Sequence, residues 1–195
     1  MIYDKFIKRF FDLTFSLFLI IVLLPIYFIT YILIAIDMGH PAIFKQTRPG
    51  KNKKNFTLFK FRSMINDESI DDDKRITKLG MILRKTSIDE LPQLFSVLRG
   101  DMSLIGPRPL LEEYNDQFTD EENKRFFVRP GISGLSQVNG RNNLGWDQKL
   151  KLDVKYVENQ SILLDIKIFF LTIYTVFMSI GFTKSVEKKF ERNTK

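Results

Sequence analysis

The chain has 195 residues, of which 44% are hydrophobic and 27% charged; this fits one folded domain with an appended segment and excludes wholesale disorder. It has no cysteine and one histidine, His40, which excludes disulfides, a thiolate nucleophile and zinc sites built from cysteines or paired histidines. Lys and Arg outnumber Asp and Glu by 30 to 23, and the net charge of +7 suits a phosphate-bearing ligand, nucleic acid or an anionic membrane.

The first predicted element is a membrane segment. Residues 13–36 carry no charge, and as a helix this run would be about 36 Å long, enough to cross a bilayer core of about 30 Å. Pro25 lies at its middle, where proline kinks or breaks a helix. Basic residues flank the run on both sides, whereas a simple spanning helix usually has them on one side. The pattern favours a re-entrant helix-break-helix, with the break at Pro25, over a single span.

The polar middle of the chain predicts a soluble domain with a short β element. Residues 56–62 alternate and are rich in β-branched and aromatic side chains, which predicts a strand with Lys60 and Arg62 projecting from the same side. Residues 79–99 and 110–127 are predicted to be helical, and Gly/Pro-rich turns surround Arg108 and Arg141. Residues 162–182 form a second apolar stretch with a narrow polar stripe, typical of a helix that packs in a core or lies in the membrane interface.

Two adjacent carboxylates, Asp89 and Glu90, have two interpretations. With Ser87 they match a capping box, in which their role would be purely structural. Alternatively, a carboxylate at a helix start can attack phosphorus, and two adjacent acids can hold Mg²⁺. Arg108 and Arg141 would then grip the phosphate groups of a substrate.

Several longer strings, taken in chain order, are similar to those of a known family. They are residues 44–50 (FKQTRPG), 60–64 (KFRSM), 87–94 (SIDELPQL), 100–109 (GDMSLIGPRP), 129–134 (RPGISG) and 137–142 (QVNGRN). In this order they resemble the bacterial sugar transferase family, and in particular its small monotopic phosphoglycosyl transferases, over about residues 5–182.

The resemblance implies transfer of a sugar 1-phosphate from a UDP-sugar to undecaprenyl phosphate, with release of UMP. Asp89 would be the nucleophile with Glu90 beside it, and Mg²⁺ would be shared between these two carboxylates and the diphosphate. The residues expected to bind substrate or phosphate are Lys60, Arg62, Arg108, Arg141 and Asp153.

The expected fold is α+β and mostly helical. Residues 1–40 would form the re-entrant anchor, 41–160 a cytosolic catalytic domain, and 161–195 an amphipathic interfacial helix and tail. Such an enzyme would lie on the cytoplasmic face of the bacterial inner membrane, contact membrane lipids and hand its product to downstream glycosyltransferases. No recognition pattern for nucleic acid is present. A non-enzymatic membrane scaffold or anionic-lipid-binding protein is the alternative.

Overall fold

The computed structural model of the protein describes residues 3–67, 69–183 and 189–192. It is a mostly helical α+β structure with one long N-terminal helix and two small two-stranded sheets, which confirms the predicted fold class.

Helix α1 (Lys8–Met38) is the membrane segment. Within the part of the chain that the structure describes, it is the one helix long and apolar enough to cross a membrane. Pro25 lies inside α1, so the predicted break does not divide it into two helices. Proline removes one backbone donor, and the remaining turns of a 31-residue helix continue on either side of it.

One narrow stripe of α1 packs against the rest of the protein, and the remainder is exposed and apolar. Asp12 on this stripe accepts hydrogen bonds from Ser103 Oγ (3.0 Å) and the Leu104 amide (2.9 Å). On the opposite face, Phe18 and Phe28 are 59% and 67% exposed. A continuous apolar surface of this kind is stable in contact with lipid, so α1 associates with the membrane.

The predicted strand over 56–62 is confirmed as β2 (Asn55–Phe61), which pairs antiparallel with β1 (Ile43–Pro49). The strand β1 was not predicted. Arg62 follows the end of β2 and donates hydrogen bonds to the carbonyls of Met38 and Gly39 at the end of α1. Lys60 contacts Glu90 instead, so the expectation that the two cations project together is wrong.

The predicted helical region over 79–99 consists of three pieces. They are α3 (Lys78–Thr86), a 3₁₀ turn (Ile88–Glu90) and α4 (Gln93–Arg99), preceded by the short helix α2 (Asp72–Arg75). Ser87 interrupts the region because its backbone is left-handed, with φ of 58°. Helix α4 packs against α1 and β2, which places the turn at Ile88–Glu90 beside the membrane helix.

The region over 110–127 is less helical than predicted. It contains 3₁₀ turns at Glu112–Gln117 and Lys124–Phe127 around the one-turn helix α5 (Asp120–Asn123). On either side of it, β3 (Ser103–Ile105) and β4 (Gly131–Ser133) form a parallel pair. Their close approach needs glycine, since a Cβ on Gly131 would lie 2.1 Å from the Gly106 amide nitrogen.

The C-terminal part contains α6 (Leu135–Val138), a 3₁₀ turn (Arg141–Asn143), α7 (Trp146–Glu158) and α8 (Ile162–Phe177). Asp165 and Ile168 on one face of α8 are buried, whereas Phe170 and Phe177 on the other are 64% and 86% exposed. Helix α8 is therefore both packed on the domain and apolar on its outer face, the pattern of a helix in a membrane interface.

Candidate active site

Asp89 and Glu90 lie in the 3₁₀ turn between α3 and α4, and they do not form the predicted capping box. The Ser87 side chain caps no helix, and the Glu90 side chain does not return to the Ser87 backbone. Glu90 Oε1 instead accepts hydrogen bonds from Lys60 Nζ (3.0 Å) and Arg108 Nη2 (2.9 Å). The structural interpretation of this turn is therefore wrong.

The pKa values of the two carboxylates are shifted in opposite directions. Burial opposes ionisation of Glu90, but Arg108 and Lys60 outweigh it, so the pKa of Glu90 lies well below its usual range. Burial raises the pKa of Asp89 to about 6, with a further contribution from the Glu90 charge, against the opposing effect of Lys60. No described residue donates a hydrogen bond to the Asp89 carboxylate. Glu90 is held as an ionised anchor, whereas Asp89 is left available for a ligand.

Both carboxylates line a cavity of about 330 Å³. Five cationic residues line it against three acidic ones. The cations are Lys60, Arg84, Arg108, Arg141 and Lys149. Because a partly dry cavity strengthens electrostatic interactions, this surplus of positive charge favours a multiply charged anion.

One wall of the cavity comes from the elements with exposed apolar faces. Leu19 of α1 lines it, together with Phe169, Thr172 and Val176 of α8. Thr172 is fixed there by a 2.6 Å hydrogen bond between its hydroxyl and that of Ser133. The cavity is thus bounded by charged residues on one side and by the apolar helices α1 and α8 on the other.

Asp153 also lines the cavity, and its carboxylate is bound by other residues of the protein. Its carboxylate accepts hydrogen bonds from Arg125 Nη2 (2.8 Å) and Ser136 Oγ (2.8 Å), while burial raises its pKa against the opposing effect of Arg125. Arg125 Nη2 also donates to the Arg108 carbonyl at 2.6 Å. Asp153 therefore supports the backbone that carries Arg108, and its predicted contact with substrate stays a prediction.

The structure brings most of the predicted site residues together, with one exception. Lys60, Arg108 and Arg141 line the cavity with the two carboxylates, and Arg141 Nη2 donates to Ser87 Oγ at 3.4 Å. Arg62 does not line it, because its guanidinium binds the end of α1.

Sequence reasoning missed two cavity residues with unused polar atoms. Arg84 Nη1 and Gln137 Nε2 are buried and have no hydrogen-bond partner in the described structure. Arg84 lies in α3, five residues before Asp89, so its closeness to Asp89 in the sequence could have identified it as a site residue. Gln137 begins the string over 137–142, but its proximity to Asp89 depends on tertiary contacts that the sequence pattern does not show.

The pair of carboxylates suits Mg²⁺ rather than a metal that needs a full protein ligand set. Mg²⁺ commonly takes one or two carboxylates and completes its shell with water and substrate phosphates. Over residues 3–67, 69–183 and 189–192, no group of three or more acidic or histidine side chains gathers to hold a metal. The donor set present matches the requirement of Mg²⁺ bound together with a phosphate substrate.

Comparison with known proteins places this geometry in a family. The model of the bacterial sugar transferase family matches residues 3–179. The sugar transferase EpsL of Bacillus subtilis is 45% identical over 193 residues, covering 96% of each chain. The undecaprenyl-phosphate galactose phosphotransferase of Salmonella typhimurium is 36% identical and matches 91% of this chain but 42% of its own length.

A third relative has a similarly partial match. The UDP-N-acetylgalactosamine-undecaprenyl-phosphate N-acetylgalactosaminephosphotransferase of Aeromonas hydrophila is 41% identical over 90% of this chain and 45% of its own length. The chain spans less than half the length of these last two relatives. The chain belongs to the bacterial sugar transferase family.

Proposed function

We propose that this protein transfers a sugar 1-phosphate from a UDP-sugar to undecaprenyl phosphate, with release of UMP. The observation that carries the proposal is the asymmetric pair of carboxylates: Glu90 is fixed by Lys60 and Arg108, whereas Asp89 has no hydrogen-bond donor among the described residues. Two relatives, from Salmonella typhimurium and Aeromonas hydrophila, are named as undecaprenyl-phosphate sugar phosphotransferases.

In the first step, an oxygen of the ionised Asp89 carboxylate attacks the β-phosphorus of the UDP-sugar. The bond between this phosphorus and the bridging oxygen breaks, and the bridging oxygen leaves on UMP with its electron pair. Lys60 and Arg108 stabilise the charge that develops on the phosphoryl oxygens. The product on the enzyme is an acyl-phosphate that joins Asp89 to the sugar phosphate.

In the second step, a phosphate oxygen of undecaprenyl phosphate attacks the same phosphorus. The bond to Asp89 breaks, the carboxylate is restored, and the lipid diphosphate sugar leaves. Leu19 and Phe169, which come from the apolar helices, place the cavity where a lipid chain can approach. A covalent intermediate lets one site serve a water-soluble donor and a lipid acceptor in turn.

Asp89 and Glu90 are the residues that would hold Mg²⁺. When bound, Mg²⁺ would neutralise charge on the diphosphate and favour the ionised form of Asp89. Glu90 stays ionised without the metal because Arg108 and Lys60 stabilise its charge.

The contacts of α1 support a re-entrant anchor with both flanks in the cytoplasm. Asp4, just before α1, accepts a hydrogen bond from Lys51, which follows it, at 2.8 Å. Lys8 at the start of α1 pairs with Asp165, and Arg62 binds the carbonyl of Met38 at its end. A spanning helix would place its two ends on opposite faces of a bilayer core about 30 Å thick, whereas here both ends of α1 contact the same domain. The location would be the inner membrane, where downstream glycosyltransferases take the product.

A test of this topology uses the absence of native cysteines. Ile2→Cys and Lys54→Cys, made separately, should both label only from the cytoplasmic face. Labelling of the two positions from opposite faces would disprove the re-entrant arrangement and favour a span.

Membrane scaffolding or binding of anionic lipids is the second candidate function, and the basic surface and α1 would be sufficient for it. It leaves unexplained why a buried carboxylate, Asp89, shares a cavity with five cations.

The discriminating experiment is UMP release from a panel of UDP-sugars, with undecaprenyl phosphate and Mg²⁺. Wild type should release UMP with at least one sugar, and excess chelator should abolish the release. Asp89→Asn should lose several orders of magnitude in rate, while Asp116→Asn, an exposed aspartate with the same charge change, should retain full activity. Normal turnover in Asp89→Asn would disprove the proposed role of this residue.

A further inference from the structure

A second, smaller cavity adjoins the active site and has no role in the chemistry described so far. Its volume is about 160 Å³. It shares Lys60, Arg108 and Trp146 with the main cavity, and its own charged residue is Arg48. We call it the side pocket.

Arg48 is a cation that the protein leaves partly unsatisfied. It donates to Gln46 Oε1 (2.6 Å) and, at 3.5 Å, to the Pro109 carbonyl, whereas its Nε is buried without a hydrogen-bond partner in the described structure. Burial, together with the nearby charge of Arg108, lowers the pKa of Arg48 to about 10. No ion pair joins Arg48 to a carboxylate of the described residues.

The charge balance of the side pocket calls for an anion. Arg48, Lys60 and Arg108 line it, and among the described residues no acidic side chain does. Glu90 contacts Lys60 and Arg108 from the main cavity, whereas no carboxylate of the described residues pairs with Arg48. An uncompensated, partly desolvated guanidinium is costly unless a ligand supplies the counter-charge, and guanidinium geometry matches phosphate.

The two cavities differ in their relation to the membrane. The main cavity is lined by Leu19 of α1 and by Phe169 and Val176 of α8. No residue of α1 or α8 lines the side pocket. Its wall comes from β1, β2, α4, residues 108–111 and the aromatic side chains of Tyr114 and Trp146. A lipid phosphate would reach the main cavity first, whereas a water-soluble phosphate can occupy the side pocket.

We propose that the side pocket is a second phosphate subsite, in which Arg48 binds the nucleotide phosphate of the donor and of the UMP product. This inference rests on the proposed function and deepens it: Asp89 would attack at the main cavity while the leaving UMP is held beside it. It also gives a role to residues 44–50, a string that the catalytic chemistry leaves unused.

The test measures binding of UMP, which every UDP-sugar shares, by calorimetry on the detergent-solubilised full chain with Mg²⁺. In Arg48→Gln, the dissociation constant for UMP should rise about 10-fold or more, because the loss removes a charged hydrogen-bond donor. The KM for the UDP-sugar should rise in parallel, and the KM for undecaprenyl phosphate should stay within about twofold. Arg99→Gln, at an exposed arginine outside both cavities, is the matched control and should leave all three values unchanged.

Arg48→Lys provides a second variant in case Arg48→Gln melts below the assay temperature. Lysine keeps the positive charge but cannot donate the bidentate hydrogen bonds of a guanidinium, so Arg48→Lys should bind UMP several-fold more weakly than wild type. UMP affinity in a folded Arg48 variant equal to that of Arg99→Gln would overturn the inference. A rise in the KM of undecaprenyl phosphate alone would also overturn it and assign the pocket to the acceptor. Failure of wild type to bind UMP and to release it from any UDP-sugar would instead overturn the proposed function.

Discussion

The environment of Asp89 predicts that removing its charge stabilises the folded protein. Its pKa is raised by burial from 3.8 to about 6, so the native state holds a proton more tightly than the unfolded chain. The free energy of unfolding therefore falls as pH rises through the window from about 4 to 6, and the penalty is complete at pH 7.5. At about 1.4 kcal/mol per pKa unit, this penalty is at most about 3 kcal/mol.

Asp89→Asn keeps the shape of the side chain and cannot ionise, so it avoids this penalty. For a chain of this size, about 3 kcal/mol corresponds to a rise in melting temperature of roughly 6–12 °C as an upper bound. The increase should be present at pH 7.5 and absent at pH 4, where the wild-type carboxyl is protonated as well. The capping-box interpretation predicts the opposite sign, a loss of about 1 kcal/mol.

Thermal unfolding of detergent-solubilised protein in excess chelator is the assay, because Mg²⁺ would favour the ionised carboxylate and mask the effect. Asp116→Asn, which makes the same charge change at an exposed position, should show no such pH-dependent gain. A variant Asp89→Asn that melts below wild type at pH 7.5, or gains equally at pH 4 and pH 7.5, would refute the reasoning.

Three further substitutions have defined outcomes. Glu90→Gln should lower stability by about 2–3 kcal/mol at pH 7.5, because it removes the carboxylate that Lys60 and Arg108 both contact. Since the pKa of Glu90 is depressed in the folded protein, this loss should shrink as the pH falls below the usual pKa of a glutamate, which a pH series of melting curves would measure. Phe190→Ala should cost about 3 kcal/mol in denaturant unfolding because the ring is 3% exposed inside an aromatic cluster, whereas Lys189→Ala, 73% exposed, should cost nothing measurable. Arg62→Met should lower the melting temperature by removing charged hydrogen bonds to the end of α1 and leave the dissociation constant for UMP unchanged; a weakened UMP affinity would restore Arg62 to the substrate site.

Features with local signals were predicted well. The length and hydrophobicity of residues 13–36 are sufficient to identify a membrane helix, and alternation of apolar residues identifies the strand over 56–62 within one residue of β2. The pair Asp89 and Glu90 stands out because two adjacent acids are followed by two Gly/Pro-rich turns that carry Arg108 and Arg141. For the helix and the strand, the information is contained within residues 13–36 and 56–62 themselves.

Features that depend on tertiary contacts were missed. Alternation places Lys60 and Arg62 on one side, but Arg62 lies just beyond β2, where the end of α1 offers two carbonyl acceptors. The capping-box pattern at Ser87 fails because the residue adopts a left-handed backbone, and Glu90 finds two cations from distant segments. A capping box does form at Thr119 and Glu122, although Arg192 also binds Glu122, because the Thr119 backbone is extended rather than left-handed.

Continuity of α1 through Pro25 has a similar cause. Residues on both sides of the proline pack on the domain: Ser16 and Ile20 precede it and Thr30 and Ile34 follow it, all buried. Packing along the whole stripe compensates for the one hydrogen bond that Pro25 cannot make.

The most direct test of the central claim is the mass of the enzyme after exposure to donor alone. Wild type incubated with its UDP-sugar and Mg²⁺, without undecaprenyl phosphate, should gain the mass of one phosphosugar and release one equivalent of UMP. Peptide mapping should place the added mass on the peptide that contains Asp89, and subsequent addition of undecaprenyl phosphate should remove it. UMP release with no adduct, or an adduct on a peptide without Asp89, would contradict the account.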